Sequence, residues 1–223
     1  MLDFFQSWSD VALLIATTAI GAVAGRYVSS AARQFIPASR EHVLVASARA
    51  RHRWVPPALA ALFLLLTWRL GDSWALPAYL FFAAAGMLLA LVDVTHQLLP
   101  NKILLRAGAI GAALLVLAAA LDDDWDSLAR AAAGGLLLFA VYLILALLPP
   151  ASLGMGDVKF SAVIGMFLAF RSWDVLVFGS LAGFVVGGMV SAWVLLSRHG
   201  DSSGKVAFGP SMLLGAMAAL ALT

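Results

Sequence analysis

Two aspartates stand at the edges of apolar runs in this 223-residue chain. Asp93 lies in Leu91-Val92-Asp93-Val94-Thr95-His96-Gln97-Leu98-Leu99-Pro100-Asn101, and Asp157 in Gly154-Met155-Gly156-Asp157-Val158-Lys159-Phe160. Ionisable groups at membrane depth are costly and mark functional positions by default. Two carboxylates brought together in a partly dry site do not both ionise easily; the pair shares one proton. That arrangement suits aspartyl proteolysis. The ionised member takes a proton from water as the water attacks the scissile carbonyl, and the protonated member hydrogen-bonds to the carbonyl oxygen. No covalent intermediate, metal or cofactor is needed. Plainer alternatives stay open at this stage. An aspartate that opens a helix is a common N-cap, and Asp93 beside loop residues is explicable as an interfacial side chain.

Gly154 and Gly156 permit unusual backbone angles and close approach of a peptide to the chain. A G-x-G alone is a weak signal, and as a nucleotide loop it fails, with no preceding strand and no third glycine in register. Lys159, two residues beyond Asp157, pairs with a carboxylate or snorkels to the membrane interface. His96 and His199 read as interfacial polar residues. The chain has no cysteine and four histidines. Disulfides, cysteine catalysis and thiolate metal sites are therefore excluded, and without an H-E-x-x-H pair so is a zinc-protease helix. Neither cofactor nor metal is expected.

The elements that must hold these residues are set by composition. Hydrophobic residues make up 63% of the chain and charged residues 12%, against roughly 45–50% and about 25% in soluble domains. Too few polar side chains remain to clothe a water-soluble globule. The apolar runs are continuous rather than alternating, which argues for helices. In lipid, backbone must be helical or in a closed barrel. The fold expected is all-α and polytopic, with about eight transmembrane helices: 9–27, 54–70, 74–92, 103–121, 128–149, 157–171, 173–197 and 206–223. Ala22-Val23-Ala24 mimics a cleavage site. The residues before and at the start of the first run carry Asp3 and Asp10 but no basic residue, so it reads as a retained span rather than a signal peptide.

With eight spans, Arg26, Arg33, Arg40, Arg49, Arg51, Arg53, Lys102, Arg106, Lys159, Arg198 and Lys205 fall on one side, and only Arg69, Arg130 and Arg171 on the other. The positive-inside rule makes the first side cytoplasmic, and Asp93 and Asp157 lie there together. The cluster Asp122-Asp123-Asp124-Trp125-Asp126 then lies outside as a solvated turn. Gly179, Gly183 and Gly187 form a small-residue helix face for packing within the bundle, with homodimerisation the minority reading. The arginines of the stretch from Tyr27 to Arg53 are expected to contact solvent or lipid headgroups.

Gly154-Met155-Gly156-Asp157-Val158-Lys159, with Gly165 further along, resembles the G-x-G-D signature of the type IV prepilin peptidases. Asp93, followed seven residues later by Pro100, resembles that family's first catalytic aspartate and its downstream Leu-Pro element. The separation of 64 residues between the aspartates resembles the family spacing, and Phe208-Gly209-Pro210 is a third match. The resemblance covers about residues 75–223. Asn101 departs from it, since many members have an aspartate after the proline.

The resemblance implies a membrane-embedded aspartyl endopeptidase of the bacterial cytoplasmic (inner) membrane. Its catalytic residues would be Asp93 and Asp157, supported by Gly154, Gly156 and Lys159. Substrates would be type IV prepilins or type II secretion pseudopilins, losing a basic leader on the cytoplasmic face. The bilayer is a partner and nucleic acid is not. Residues 1–53 correspond to a first span with a reduced loop, and 54–223 to the peptidase domain. Bifunctional members also N-methylate the new pilin terminus, and carry a large loop with two C-x-x-C pairs that can hold zinc. The short, cysteine-free loop here cannot form a Cys₄ site, so methyltransferase activity is expected to be weak or absent. The rival readings are a multi-pass transporter that uses the aspartates as a proton or cation relay and a non-catalytic scaffold of pilus or secretion assembly.

Overall fold

The computed structural model describes residues 8–33, 53–71, 73–96, 101–148, 153–196 and 208–222, and among them every regular element is an α-helix. The helices are α1 (Trp8–Arg33), α2 (Val55–Leu70), α3 (Leu76–His96), α4 (Asn101–Asp122), α5 (Trp125–Leu147), α6 (Met155–Arg171), α7 (Trp173–Leu196) and α8 (Gly209–Leu222). Each coincides with one of the expected apolar runs. Among the described residues, five stretches are long and apolar enough to cross a membrane: Ser9–Ala32, Leu76–Val94, Asn101–Asp122, Trp125–Leu147 and Trp173–Trp193. Large apolar side chains point outward on them, among them Leu105, Leu136 and Trp193. Such outward faces suit hydrocarbon rather than water. This is a multi-pass membrane protein.

The helix ends follow from local chemistry. Prolines in the first turn open α2, where a missing N–H costs nothing. Gly71, at φ 62°, closes it, with its N–H donating to the Thr67 carbonyl at 2.8 Å. Asp124 caps α5 by accepting the Ser127 N–H at 3.0 Å and the Ser127 hydroxyl. Those two donors, hydroxyl first, hold its carboxyl below the usual carboxylate range. The acidic turn before it is exposed, as expected, with the Trp125 indole N–H donating to Asp123 Oδ1 at 3.1 Å. Ser172 caps α7 through the Val175 N–H at 3.1 Å.

The chain divides into two compact units, Met1–Leu88 and Leu89–Thr223. In the first, α1 and α2 pack backbone to backbone. A Cβ on Gly21 would stand 2.9 Å from the Phe63 side chain, and one on Gly25 would overlap Pro56. The Thr67 hydroxyl donates to Thr17 Oγ1 at 2.9 Å inside this seam.

The second unit contains the end of α3 and helices α4 to α8. Lipid provides no hydrophobic drive between helices, so small residues that let backbones close up do the packing. Gly134 and Gly135 of α5 meet Gly165 and Ala162 of α6, and Gly179 and Gly183 of α7 meet Gly215 and Met212 of α8. The glycine face read from the seventh span thus packs inside the bundle. Ser161 of α6 is fully buried, and its hydroxyl donates to Val158 O at 2.7 Å and to Leu138 O of α5 at 3.2 Å. At the far end of the same seam, Arg130 Nε donates to Ala169 O at 2.6 Å. Its Nη2 donates to Phe170 O at 2.8 Å, to Ser127 Oγ at 2.8 Å and to Arg171 O at 3.4 Å. A guanidinium there satisfies the carbonyls that α6 leaves unpaired at its C-terminus.

Candidate active site

Asp93 sits in the last turn of α3. That helix runs to His96, four residues past the expected end of the span. Asp93 is therefore enclosed rather than interfacial, at 4% exposure. Its Oδ2 accepts the backbone N–H of Gly209, the first residue of α8, at 3.0 Å across 116 residues of chain. The donor belongs to the free N–H groups of a helix start, where the backbone favours an anionic partner.

Asp157 is the third residue of α6, not its N-cap. The cap position is Gly154, which makes no side-chain cap, and the Asp157 N–H donates to the Gly154 carbonyl at 3.0 Å. Asp157 Oδ1 is buried with no hydrogen-bond partner among the described residues. Buried polar atoms in native proteins are nearly always paired, so this oxygen stands out. The two carboxylates are near enough for the charge of Asp93 to act on Asp157.

The glycines of the motif act by closeness and not by unusual torsions. Gly154 is extended, at φ −74° and ψ 144°, and Gly156 is helical. Positive φ among the described glycines occurs at Gly71, so the left-handed geometry allowed for in the motif is not used. A Cβ on Gly154 would stand 3.3 Å from Asp157 Oδ2, tighter than ordinary contact. Lys159 pairs with an amide rather than a carboxylate, its Nζ donating to Asn101 Oδ1 at 2.9 Å from an exposed position. Between α4 and α6 runs a groove of about 420 Å³ lined by Leu104, Leu105, Gly108, Ala109, Ala162 and Val163, with Asn101 and Lys159 at the end where both helices start.

Sequence reading missed an aromatic group beside the aspartates. Tyr142 of α5 is buried at 2% exposure and near enough to Asp157 to feel its charge. Its ring centroid lies 5.0 Å from that of Phe184 on α7 and 6.4 Å from that of Phe208, and Phe184 and Phe208 are 5.7 Å apart. A lone tyrosine inside an apolar run was the available signal. His199, the Leu98-Leu99-Pro100 element and the arginine-rich stretch 34–52 lie outside the described residues, as does the side chain of His96. Among the described residues no three potential metal ligands converge.

Residues 80–192 match the type IV leader peptidase family. The chain is also similar to the prepilin leader peptidase/N-methyltransferase of Stutzerimonas stutzeri, 30% identical over 178 residues that take up 78% of this chain and 60% of that relative. The Pseudomonas aeruginosa protein of the same name is 30% identical over 173 residues, 76% of this chain and 58% of its own length. The Pseudomonas putida one is 28% identical over 165 residues, 74% and 56%. The chain thus spans about three fifths of the length of the curated relatives it matches. No solved structure matches it.

Proposed function

We propose, from the premise that this chain belongs to the type IV leader peptidase family, that it is an aspartyl endopeptidase that cuts the basic leader from type IV prepilins or type II secretion pseudopilins. The observation that supports this reading is Asp157, whose buried Oδ1 has no partner among the described residues, standing near enough to feel the charge of Asp93, whose Oδ2 is held by Gly209. One carboxylate accepts a proton from the attacking water, and the other donates its proton to the scissile carbonyl oxygen. A C–O bond forms to give a gem-diol. The C–N bond then breaks as the amine takes the proton first removed from water, and the gem-diol hydroxyl returns its proton to the second carboxylate, leaving a carboxylic acid and the dyad restored. Gly154 keeps room beside Asp157 for an extended peptide.

All eight helices span the membrane in this reading, with the peptidase in residues 54–223. The excess of Lys and Arg on one side supports a cytoplasmic position for Asp93 and Asp157, where a positively charged leader stays. Only the peptidase reaction is assigned. The relatives' names include an N-methyltransferase, whereas the cysteine-free chain has no thiolates for a Cys₄ zinc site.

Purified protein in detergent, incubated with a prepilin, tests the assignment. Asp93→Asn and Asp157→Asn keep shape but remove the titrating group, and each should lower cleavage by about a thousandfold or more. Asp122→Asn and Asp174→Asn should stay within about twofold of the parent. Normal processing by either Asn variant at 93 or 157 overturns the dyad.

A further inference from the structure

The backbone N–H that holds Asp93 is itself held from a different helix. Phe208 immediately precedes Gly209, and its carbonyl accepts the Met212 N–H at 3.1 Å, fixing the first turn of α8. The Phe208 ring rests on Gly187 of α7, at a spot where any Cβ would overlap Cε2 and stand 2.8 Å from Cζ. Phe184 and Tyr142 flank the ring on its other sides. Gly209 needs its own lack of a side chain, because a Cβ there would stand 2.8 Å from Asp93 Oδ2 and 3.4 Å from its Cγ. A continuous line of contacts therefore runs from α7 through one ring and one peptide to the carboxylate.

We propose that Gly187, Phe208 and Gly209 form a positioning latch for Asp93: Gly187 seats the Phe208 ring, and the seated residue aims the Gly209 N–H at Oδ2. None of the three acts on the scissile bond; they act through Asp93. The torsion that turns a carboxylate is broad and roughly two-fold, so an unheld Asp93 would sample many orientations. One fixed donor selects among them. A misplacement of about 1 Å at a catalytic group costs on the order of a hundredfold in rate. The latch deepens the function proposed above and rests on it.

Gly187→Ala is the direct perturbation, since its methyl displaces the ring without touching either aspartate. We expect kcat for leader cleavage to fall at least tenfold with KM within twofold of the parent. Phe208→Leu removes the ring atoms that meet the new methyl. In the Gly187→Ala background it should restore at least half of the lost rate on a logarithmic scale, a non-additivity that independent sites would not show. Gly209→Ala, which keeps the N–H but pushes on Oδ2, should repeat the kcat loss with the same unchanged KM. An activity-independent arm uses a hydrophobic carbodiimide, with the fraction of modified Asp93 read by mass spectrometry. Modification should be at least threefold faster in Gly187→Ala and return towards the parent rate in the double variant. The latch is overturned if Gly209→Ala cleaves at the parent rate, if Gly187→Ala raises KM as much as it lowers kcat, or if Asp93 modification is the same in all variants. A parent protein that cuts no leader would remove the proposed function instead, and the carbodiimide arm would still decide the latch.

Discussion

Gly165→Ala tests whether the seam between α5 and α6 holds the aspartate of α6 in place. A Cβ at position 165 would stand 2.5 Å from the Gly134 carbonyl oxygen, 3.0 Å from the Gly134 carbonyl carbon and 3.1 Å from the Leu138 Cβ. Two of these are backbone atoms, which cannot swing aside as a flexible side chain would. Restoring a contact of about 3.4 Å to that oxygen separates the helices locally by about 0.9 Å. Overpacking of this kind costs about 1–3 kcal/mol. The same separation stretches the 3.2 Å bond from Ser161 to Leu138 O out of range, about 1 kcal/mol more. The gain in helix propensity from Gly to Ala, about 1 kcal/mol, offsets part of this. Asp157 rides on the displaced helix, and a shift near 1 Å corresponds to about a hundredfold in rate, or about 2.7 kcal/mol of barrier. Gly188→Ala isolates the propensity gain, since nothing lies within 4 Å of a Cβ there. We expect Gly165→Ala to lower both the melting temperature in detergent and kcat for leader cleavage, and Gly188→Ala to lower neither. A Gly165→Ala protein with parental kcat and melting temperature would refute the reasoning.

Asp124→Ala removes the α5 cap and should cost about 1 kcal/mol at neutral pH. The folded-state carboxyl titrates below its unfolded value, so this stability is present above about pH 4 and is lost as pH falls through the folded value. Melting of parent and variant should therefore differ at pH 7 and draw together as the pH falls below about 4; a difference that grows on acidification would contradict the capping account. A prepilin processed by this chain alone, with S-adenosylmethionine supplied, should show an unmethylated N-terminus by mass spectrometry. A stoichiometric gain of one methyl group would refute that expectation.

The helices were legible because a membrane span leaves a long apolar run, and each run became one helix within a few residues. Their ends were less so. Asp93 reads as a boundary because it is charged, yet α3 continues to His96 because a buried partner, the Gly209 N–H, accommodates the charge. That partner lies 116 residues away, a distance no local pattern reports. The same holds for Lys159, whose acceptor Asn101 is 58 residues distant. The spacing-by-four of Gly179, Gly183 and Gly187 disclosed a packing face. The identical spacing of Gly21 and Gly25 passed unnoticed, although it brings α1 onto Pro56 and Phe63. Gly134 and Gly165 were harder, since one glycine from each of two helices makes a close contact without any motif. Of the motif around Asp157, the residue types were readable. Its backbone was not: an aspartate three residues into a helix and one at its cap look alike in sequence.

Arg130 gives α6 a fulcrum. Its guanidinium grips the carbonyls of Ala169, Phe170 and Arg171, while Asp157 rides near the opposite tip of the helix. Twelve residues separate Ala169 from Asp157, a lever arm of about 18 Å at 1.5 Å per residue. Rotation of α6 by about 3° about the gripped end would carry the carboxylate through about 1 Å, a shift that at the proposed catalytic group corresponds to about a hundredfold in rate. Angular stiffness at that end of α6, set by Arg130 together with the glycine seam against α5, therefore bears on where the Asp157 carboxylate sits.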